Sequence, residues 1–498
     1  MIGILVRAGR LLYTQVADPI RSIRAEYLPF LMVYFAFGLA GILLVADQFW
    51  TKEVLRLSAV DLQLAAFWKM VPWTIKMLFA QFVDVRPILG SPRRSYIYVG
   101  AACMGVGFLM LAGLAGGWPV VMALGTPVSV YFLGTIAVSL GLVIQDVTAD
   151  AMTSEVIKDD ERESRNIQLL GRLAIGAGGL IAAFYAASVA IFAAKFPGGY
   201  STIFTYAVII PVISVLGAML WRHVPVALEK WNKTIVWSGA AFAVFVIALQ
   251  FTPVPWKAEI TYAVNVVVVL VCVSALALKI KWNDRISLIC MCTVAFVFKA
   301  MPKAGPGVGW WQIDVLKFDR SFLGELQWIG HLTAFFLLLF FAKQLKNHAV
   351  ARVLVIVTIV ETILGLPQIG MYYGLHEWTQ AHLGFGARAI AWWDTALDSP
   401  FHVFALLPVI AFVAMIGKKS GNAATWFALA ASLFNLAGTT SEITTKWLTQ
   451  IYPVVQASAH GPGDYHNLGT LMILTRSLAL VVPLLAIWLF RKRLDYES

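Results

Sequence analysis

Charged side chains are scarce in this 498-residue chain, at 13% of the total, where a soluble globular domain carries about 25%. That shortage excludes an ordinary soluble fold, because too little charge is left to cover a water-facing surface. Cysteine is scarce as well. The four present, Cys103, Cys272, Cys290 and Cys292, all fall in apolar runs. Cys290 and Cys292 lack the spacing and partners of a metal site, so buried thiols are expected, with no metal and no cofactor. The glycine-rich "AGPGVG" at 304–309 lacks the Lys-Ser/Thr of a phosphate loop and reads instead as a break at a helix end. No nucleophile–base pair stands out, so an enzyme is not expected. A cleavable leader is not expected either. The first apolar stretch is short, and residues 1–26 carry Arg7, Arg10, Arg21 and Arg24, which fits a basic segment on the cytoplasmic face.

What the chain has in abundance is apolar sequence: 60% hydrophobic residues and a mean hydropathy of +0.78. Apolar runs of about 17–25 residues, each long enough to span a bilayer as a helix, recur from end to end. They predict an all-α polytopic membrane protein with spans at 27–46, 60–82, 96–116, 128–151, 167–191, 203–221, 235–251, 259–280, 286–304, 323–342, 352–372, 400–417, 423–446 and 467–490. The net charge of +11 does not point to nucleic acid, because Lys and Arg sit in the short loops as topology signals. They favour one side roughly three to one, which predicts both termini in the cytoplasm. The expected organisation is a cytoplasmic segment 1–26, a six-helix bundle 27–221, a central linker 222–285 with an extra transmembrane hairpin, a second six-helix bundle 286–490 and a tail 491–498. Residues 373–399 and 447–466 form longer external loops.

The intramembrane charges are the candidates for chemistry. Asp146 and Asp150 stand four apart in "IQDVTADAMTSE", on one helix face. A charged group at mid-span costs about 2.5–3.5 kcal/mol, less near its end, so both need cations or protons. Lys76 and Arg172 lie at similar depth. The four either exchange an ion pair for a proton during a cycle or form a static network ordering three helices. Asp84, a turn with Pro87, Gly90 and Pro92, and then Arg93-Arg94 form a second set. There a carboxylate can lock to paired arginines as a cytoplasmic gate, with Glu155 as a further partner, or the arginines serve only as positive-inside anchors. Lys299, His331, Glu361 and Arg476 sit near mid-span in the second half. Lys299 and Arg476 suit an anionic substrate. The alternatives are an Arg476–Glu361 ion pair and a hydrogen-bonded core histidine at 331. "GAGGL" at 176–180 reads as small residues allowing close helix packing.

"VPWTIKMLFAQFVDVRPILGSPRRSYIYVG" resembles the signature between helices 2 and 3 of the major facilitator superfamily, and in its fuller form that of the folate–biopterin transporter family. Val71-Pro72-Trp73, Lys76, Asp84, Gly90, Arg93, Arg94, Ser95 and Tyr96 carry the match. "VYFAFGLAGI", "FWTKEVLRLS", "DVTADA", "FVFKAMPKAGPG", "LKFDRSFLGELQWIG" and "SGNAATWFALAASLFNLAG" extend it over both halves. Ala80 and Ala423, Lys299 and Lys303, and the central hairpin depart from the pattern. Muropeptide permeases are nearly as similar, through Gln145-Asp146, Asp150-Ala151, Glu161-Arg162 and the run from Ala424 to Leu429. The resemblance implies a secondary transporter in a bacterial inner membrane. It would move a folate- or pterin-like anion by alternating access, with protons as the coupling ion, and a muropeptide or other small conjugate is the alternative cargo. A different class stays open: a non-transporting subunit or assembly factor docking a membrane-protein partner through the 235–280 hairpin.

Overall fold

The computed structural model describes residues 18–21, 23–88, 90–156, 161–222, 231–278, 282–341, 350–404, 423–458 and 461–494. The expected span at 400–417 lies almost wholly outside these, as do residues 1–17 of the N-terminal segment and 495–498 of the tail. The described chain is helical, apart from isolated β-bridges in loops. An apolar solvent dictates this, because a helix satisfies its own backbone polar groups.

In chain order the helices are α1 (Ala25–Val54), α2 (Ala59–Thr74), α3 (Lys76–Val85), α4 (Arg94–Gly116), α5 (Pro127–Val156), α6 (Glu161–Lys195), α7 (Gly199–Leu220), α8 (Lys233–Gln250), α9 (Lys257–Ala277), α10 (Trp282–Lys299), α11 (Gly307–Asp314), α12 (Arg320–Phe341), α13 (Val350–Leu364), α14 (Leu366–Tyr372), α15 (Leu375–Leu383), α16 (Ala387–Phe404), α17 (Ala423–Ile451) and α18 (Leu468–Leu494). Among the described residues, nine helical stretches are long and apolar enough to cross a membrane. The expected spans at 60–82, 286–304, 323–342, 400–417 and 423–446 are not among the nine. At 60–82 the helix is interrupted at Ile75.

The chain divides into two compact units. The first holds α1 up to Trp50, the end of α3, α4 to α7, and α12. Its helices approach closely through glycine, since small residues are what let backbones meet where lipid offers no hydrophobic drive. A Cβ on Gly38 of α1 would lie 2.0 Å from the Ile175 carbonyl oxygen of α6, and one on Gly178 would lie 2.2 Å from the Phe35 carbonyl oxygen. Gly100 and Gly141 meet in the same way between α4 and α5. The "GAGGL" run thus packs as expected, with Gly176 against Phe335 and Gly179 against His331 of α12. Tyr27, Phe30, Ile97, Met152 and Ile167 fill the core beside these contacts.

The second unit holds Thr51–Gln81, Trp231–Asp319 and His348–Ser498. Here α2 packs on α17, and α9 of the hairpin packs on both. Pro72 lies inside α2, and Ile75 leaves helical geometry before α3 resumes. The groups loosened by that break are taken up by side chains. Thr74 Oγ1 donates to the Val71 carbonyl at 2.7 Å, Asn435 Nδ2 to the Trp73 carbonyl at 3.0 Å, and Asn265 Nδ2 to Thr74 Oγ1 at 2.8 Å. Asn265 belongs to the hairpin. Along the same seam Lys446 pairs with Glu259, and the Tyr262 and Thr440 hydroxyls meet at 3.0 Å.

Candidate functional site

Two of the expected gate residues, Asp84 and Glu155, converge on a third, Arg93. The turn between α3 and α4 closes through an Ile88–Ser91 bridge, with Gly90 in the left-handed region at φ +76°, where a side chain would be strained. The turn brings Arg93 back under the end of α3. Its Nη1 donates to Asp84 Oδ1 at 3.0 Å and to the Val83 carbonyl at 2.6 Å, while Nε donates to Glu155 Oε1 of α5. The Arg93 and Glu155 side chains are only 5% and 7% exposed, so their attraction is screened far less than it would be in water. Tyr96 adds a clasp, its hydroxyl donating to the Phe82 and Arg86 carbonyls at 2.8 Å each. Arg94 does something else. Its guanidinium donates to the Ala218 carbonyl at 3.1 Å and to the Trp221 carbonyl, holding the C-terminal end of α7.

The aspartate pair of α5 faces a partner the sequence did not signal. Tyr34 of α1, itself buried, donates its hydroxyl to Asp150 Oδ1 at 2.7 Å. Asp146 and Arg172 are the other charges acting on that hydroxyl. The Tyr34 ring lies directly over Gly171, with a Cβ there only 3.0 Å from the ring edge. Asp146, Asp150 and Arg172 thus share one neighbourhood in the first unit, whereas Lys76 belongs to the second.

The remaining candidates part company. His331, in the first unit, takes the Gln327 carbonyl at 2.9 Å through Nδ1 and packs on Gly179, the arrangement of a core histidine. Arg476 donates to the Glu361 backbone carbonyl at 3.0 Å and presses on Gly365, where α13 ends. A cation at a helix C-terminus satisfies loose carbonyls and the negative end of the dipole. Lys299 has no such employment. It lies partly buried in an apolar helix, its Cε 3.8 Å from the place a Gly438 Cβ would occupy beside Met70. It finds no hydrogen-bond or ionic partner among the described residues, and the charge that acts on it is another lysine, Lys303. Lys303 has an acid of its own, Glu442 at 3.5 Å.

Sequence reasoning missed one further cluster altogether. Lys52 Nζ lies 2.6 Å from Asp314 Oδ1, with side chains 6% and 14% exposed. The second Asp314 oxygen accepts the Ala457 N–H at 3.0 Å and the Tyr465 hydroxyl. Burial alone would push the Asp314 carboxyl up, but the Lys52, Tyr465 and Ala457 hydrogen bonds hold it below the usual carboxylate range. By linkage the tie persists above the ordinary carboxyl value and is lost only as pH falls through the lowered one.

Residues 38–497 match the model of the BT1 family. The chain belongs to the BT1 family. Within this family's relatives, the chain is 24% identical over 467 residues to the folate-biopterin transporter of Synechocystis sp., covering 92% of this chain and 80% of that one. The BT1 match and its helices make it an integral membrane transporter protein rather than an enzyme. Solved structures give the fold. A POT family transporter in complex with a thioalcohol-conjugated peptide superposes with a TM-score of 0.66 at 13% identity, over 94% of this chain and 96% of that one. The nucleoside transporter NupG gives 0.57 at 11% identity, over 94% and 100%. The BT1 chain therefore has the all-helical fold of major-facilitator-type transporters.

Proposed function

We propose that the protein is a secondary transporter that moves a small organic anion of the folate or pterin kind across the membrane by alternating access, coupled to protons. Lys299 carries this reading. A cation without a counter-ion among the described residues, inside an apolar helix, is costly, and an anionic cargo supplies what those residues do not. The Synechocystis relative, named as a folate-biopterin transporter, favours a pterin-like cargo. In this reading two six-helix bundles, 27–221 and 286–490, flank the 222–285 hairpin, fourteen spans in all, with both termini in the cytoplasm of a bacterial inner membrane. Asp146 and Asp150 take up and release the proton, with Arg172 and Lys76 as their cations. Asp84, Arg93 and Glu155 close the cytoplasmic side.

The test is uptake of labelled folates, pterins and muropeptides into proteoliposomes under an imposed pH gradient. Gradient-driven accumulation of a pterin or folate is expected. Lys299→Gln should lower it about tenfold or more, the scale of a lost charge-assisted hydrogen bond of about 1.5–3 kcal/mol, while Lys299→Arg keeps part of it. Accumulation of muropeptides alone would overturn the cargo assignment. Full gradient-driven accumulation by both Asp146→Asn and Asp150→Asn would overturn the coupling assignment.

A further inference from the structure

The cluster around Asp314 ties together three stretches far apart in sequence. Lys52 lies in a π-turn, Trp50–Val54, at the end of α1; such turns concentrate at functional sites. Asp314 ends α11, and Ala457 and Tyr465 belong to the loop between α17 and α18, a short β-bridged hairpin with Val455 paired to Asp464. A second tie runs parallel, Gln456 Nε2 donating to the Leu57 carbonyl at 3.0 Å. Two non-glycine residues with positive φ flank the cluster, Arg56 at +52° and Lys317 at +58°. Lys317 also folds back onto the Asp314 carbonyl. Strained backbone of this kind persists only where its surroundings over-determine it, and it gathers at clamps and switches. At the foot of this loop a Cβ on Gly307 would lie 2.8 Å from Val454, and two residues earlier Gly305, at φ +77°, is surrounded by the buried side chains Gln63 and Thr449. All of these residues belong to the second unit.

We infer that Asp314 is a latch: by holding Lys52, Ala457 and Tyr465 at once, it keeps this loop end of the second unit shut, and releasing it opens a way to Gln63 and Thr449. The inference deepens the alternating-access reading, which needs an end that can be closed. Its test uses no substrate, so the two can fail separately. The latch is a single partly buried carboxylate that accepts from Lys52, Ala457 and Tyr465, and removing its charge leaves the Lys52 ammonium buried without its acid.

The experiment places a reporter, Thr449→Cys, in a chain whose four cysteines are replaced, purified in lipid nanodiscs. The rate of labelling by a charged maleimide is the readout. With the latch intact, labelling is expected to be slow, because Thr449 is 3% exposed. Asp314→Asn and Lys52→Gln should each raise the rate on the order of tenfold, as loss of one or two strong contacts does. Tyr465→Phe, which keeps the ion pair and the packing, should give a smaller rise and serves where the charge variants do not fold. An unchanged rate in folded Asp314→Asn or Tyr465→Phe overturns the latch.

Discussion

Arg93→Ala is expected to destabilise the folded protein by about 3–5 kcal/mol, the cost of removing one partner from a buried ion pair. The reason is the number of groups that depend on one side chain. Glu155, 7% exposed, and Asp84 both rely on the Arg93 guanidinium, and so does the Val83 carbonyl at the end of α3. Alanine removes that donor from all three. Arg93→Lys should recover only part of the loss, because a point-like ammonium cannot present the fork that reaches Glu155 through Nε and Asp84 through Nη1. Arg93→Ala with Glu155→Gln should be less damaging than Arg93→Ala alone, since the more deeply buried of the two carboxylate charges is gone. Thermal unfolding of the detergent-purified variants measures the series. An Arg93→Ala protein that melts with the parent would show that these carboxylates do not depend on it. Arg94→Ala, by contrast, removes hydrogen bonds to carbonyls at the end of α7 and strands no acid, so a loss of only about 1 kcal/mol is expected.

Gly38 and Gly178 should tolerate no side chain. At both positions the obstacle is backbone of the facing helix, Ile175 oxygen at 2.0 Å and Phe35 oxygen at 2.2 Å from the added Cβ. Backbone inside a helix cannot rotate aside as a side chain can, so α1 and α6 would have to separate along their length. Gly38→Ala or Gly178→Ala should cost about 1–3 kcal/mol or more, and Gly38→Leu should leave no folded protein to purify. Gly105 is the internal control. It stands in the middle of α4 with nothing within 4 Å of an added Cβ, so Gly105→Ala should be neutral or gain up to about 1 kcal/mol from helix propensity. Monodisperse yield and melting temperature across the four variants test the contrast. Equal behaviour of Gly38→Ala and Gly105→Ala would mean that α1 and α6 are not held together through these glycines.

What could be read from the sequence was whatever leaves a local mark. Apolar runs announce spans because a bilayer imposes a minimum length on them. The Asp84–turn–Arg93 set was legible because its members are nine residues apart and the glycine and prolines between them specify a turn. Glu155 followed, as an acid at the end of its helix. The partners that escaped are of two kinds. Tyr34 on Asp150 and Lys52 on Asp314 join residues 116 and 262 apart in sequence, and no spacing rule connects positions so distant. Arg94 and Arg476 were legible as charges, yet what they bind is backbone carbonyl, which every residue possesses and no sequence pattern marks. Lys299 is the converse. It stands out in the sequence as an odd charge, and among the described residues it has no counter-ion.

The break at Ile75 has a consequence for how this chain can vary. Its loosened backbone and the Thr74 hydroxyl are held by two amide side chains, Asn435 from α17 and Asn265 from the central hairpin. A helical hairpin such as α8–α9 is easily pictured as a cassette, removable at will. Here the cassette has become part of the joint: excising 231–278 would unfasten one side of the kink in α2 and strand the Lys446 ammonium that Glu259 now neutralises. Descendants of this sequence can shorten its loops or recolour its lipid-facing surface with little consequence, but loss of the hairpin would need simultaneous repair at Thr74 and Lys446, two changes on two other helices.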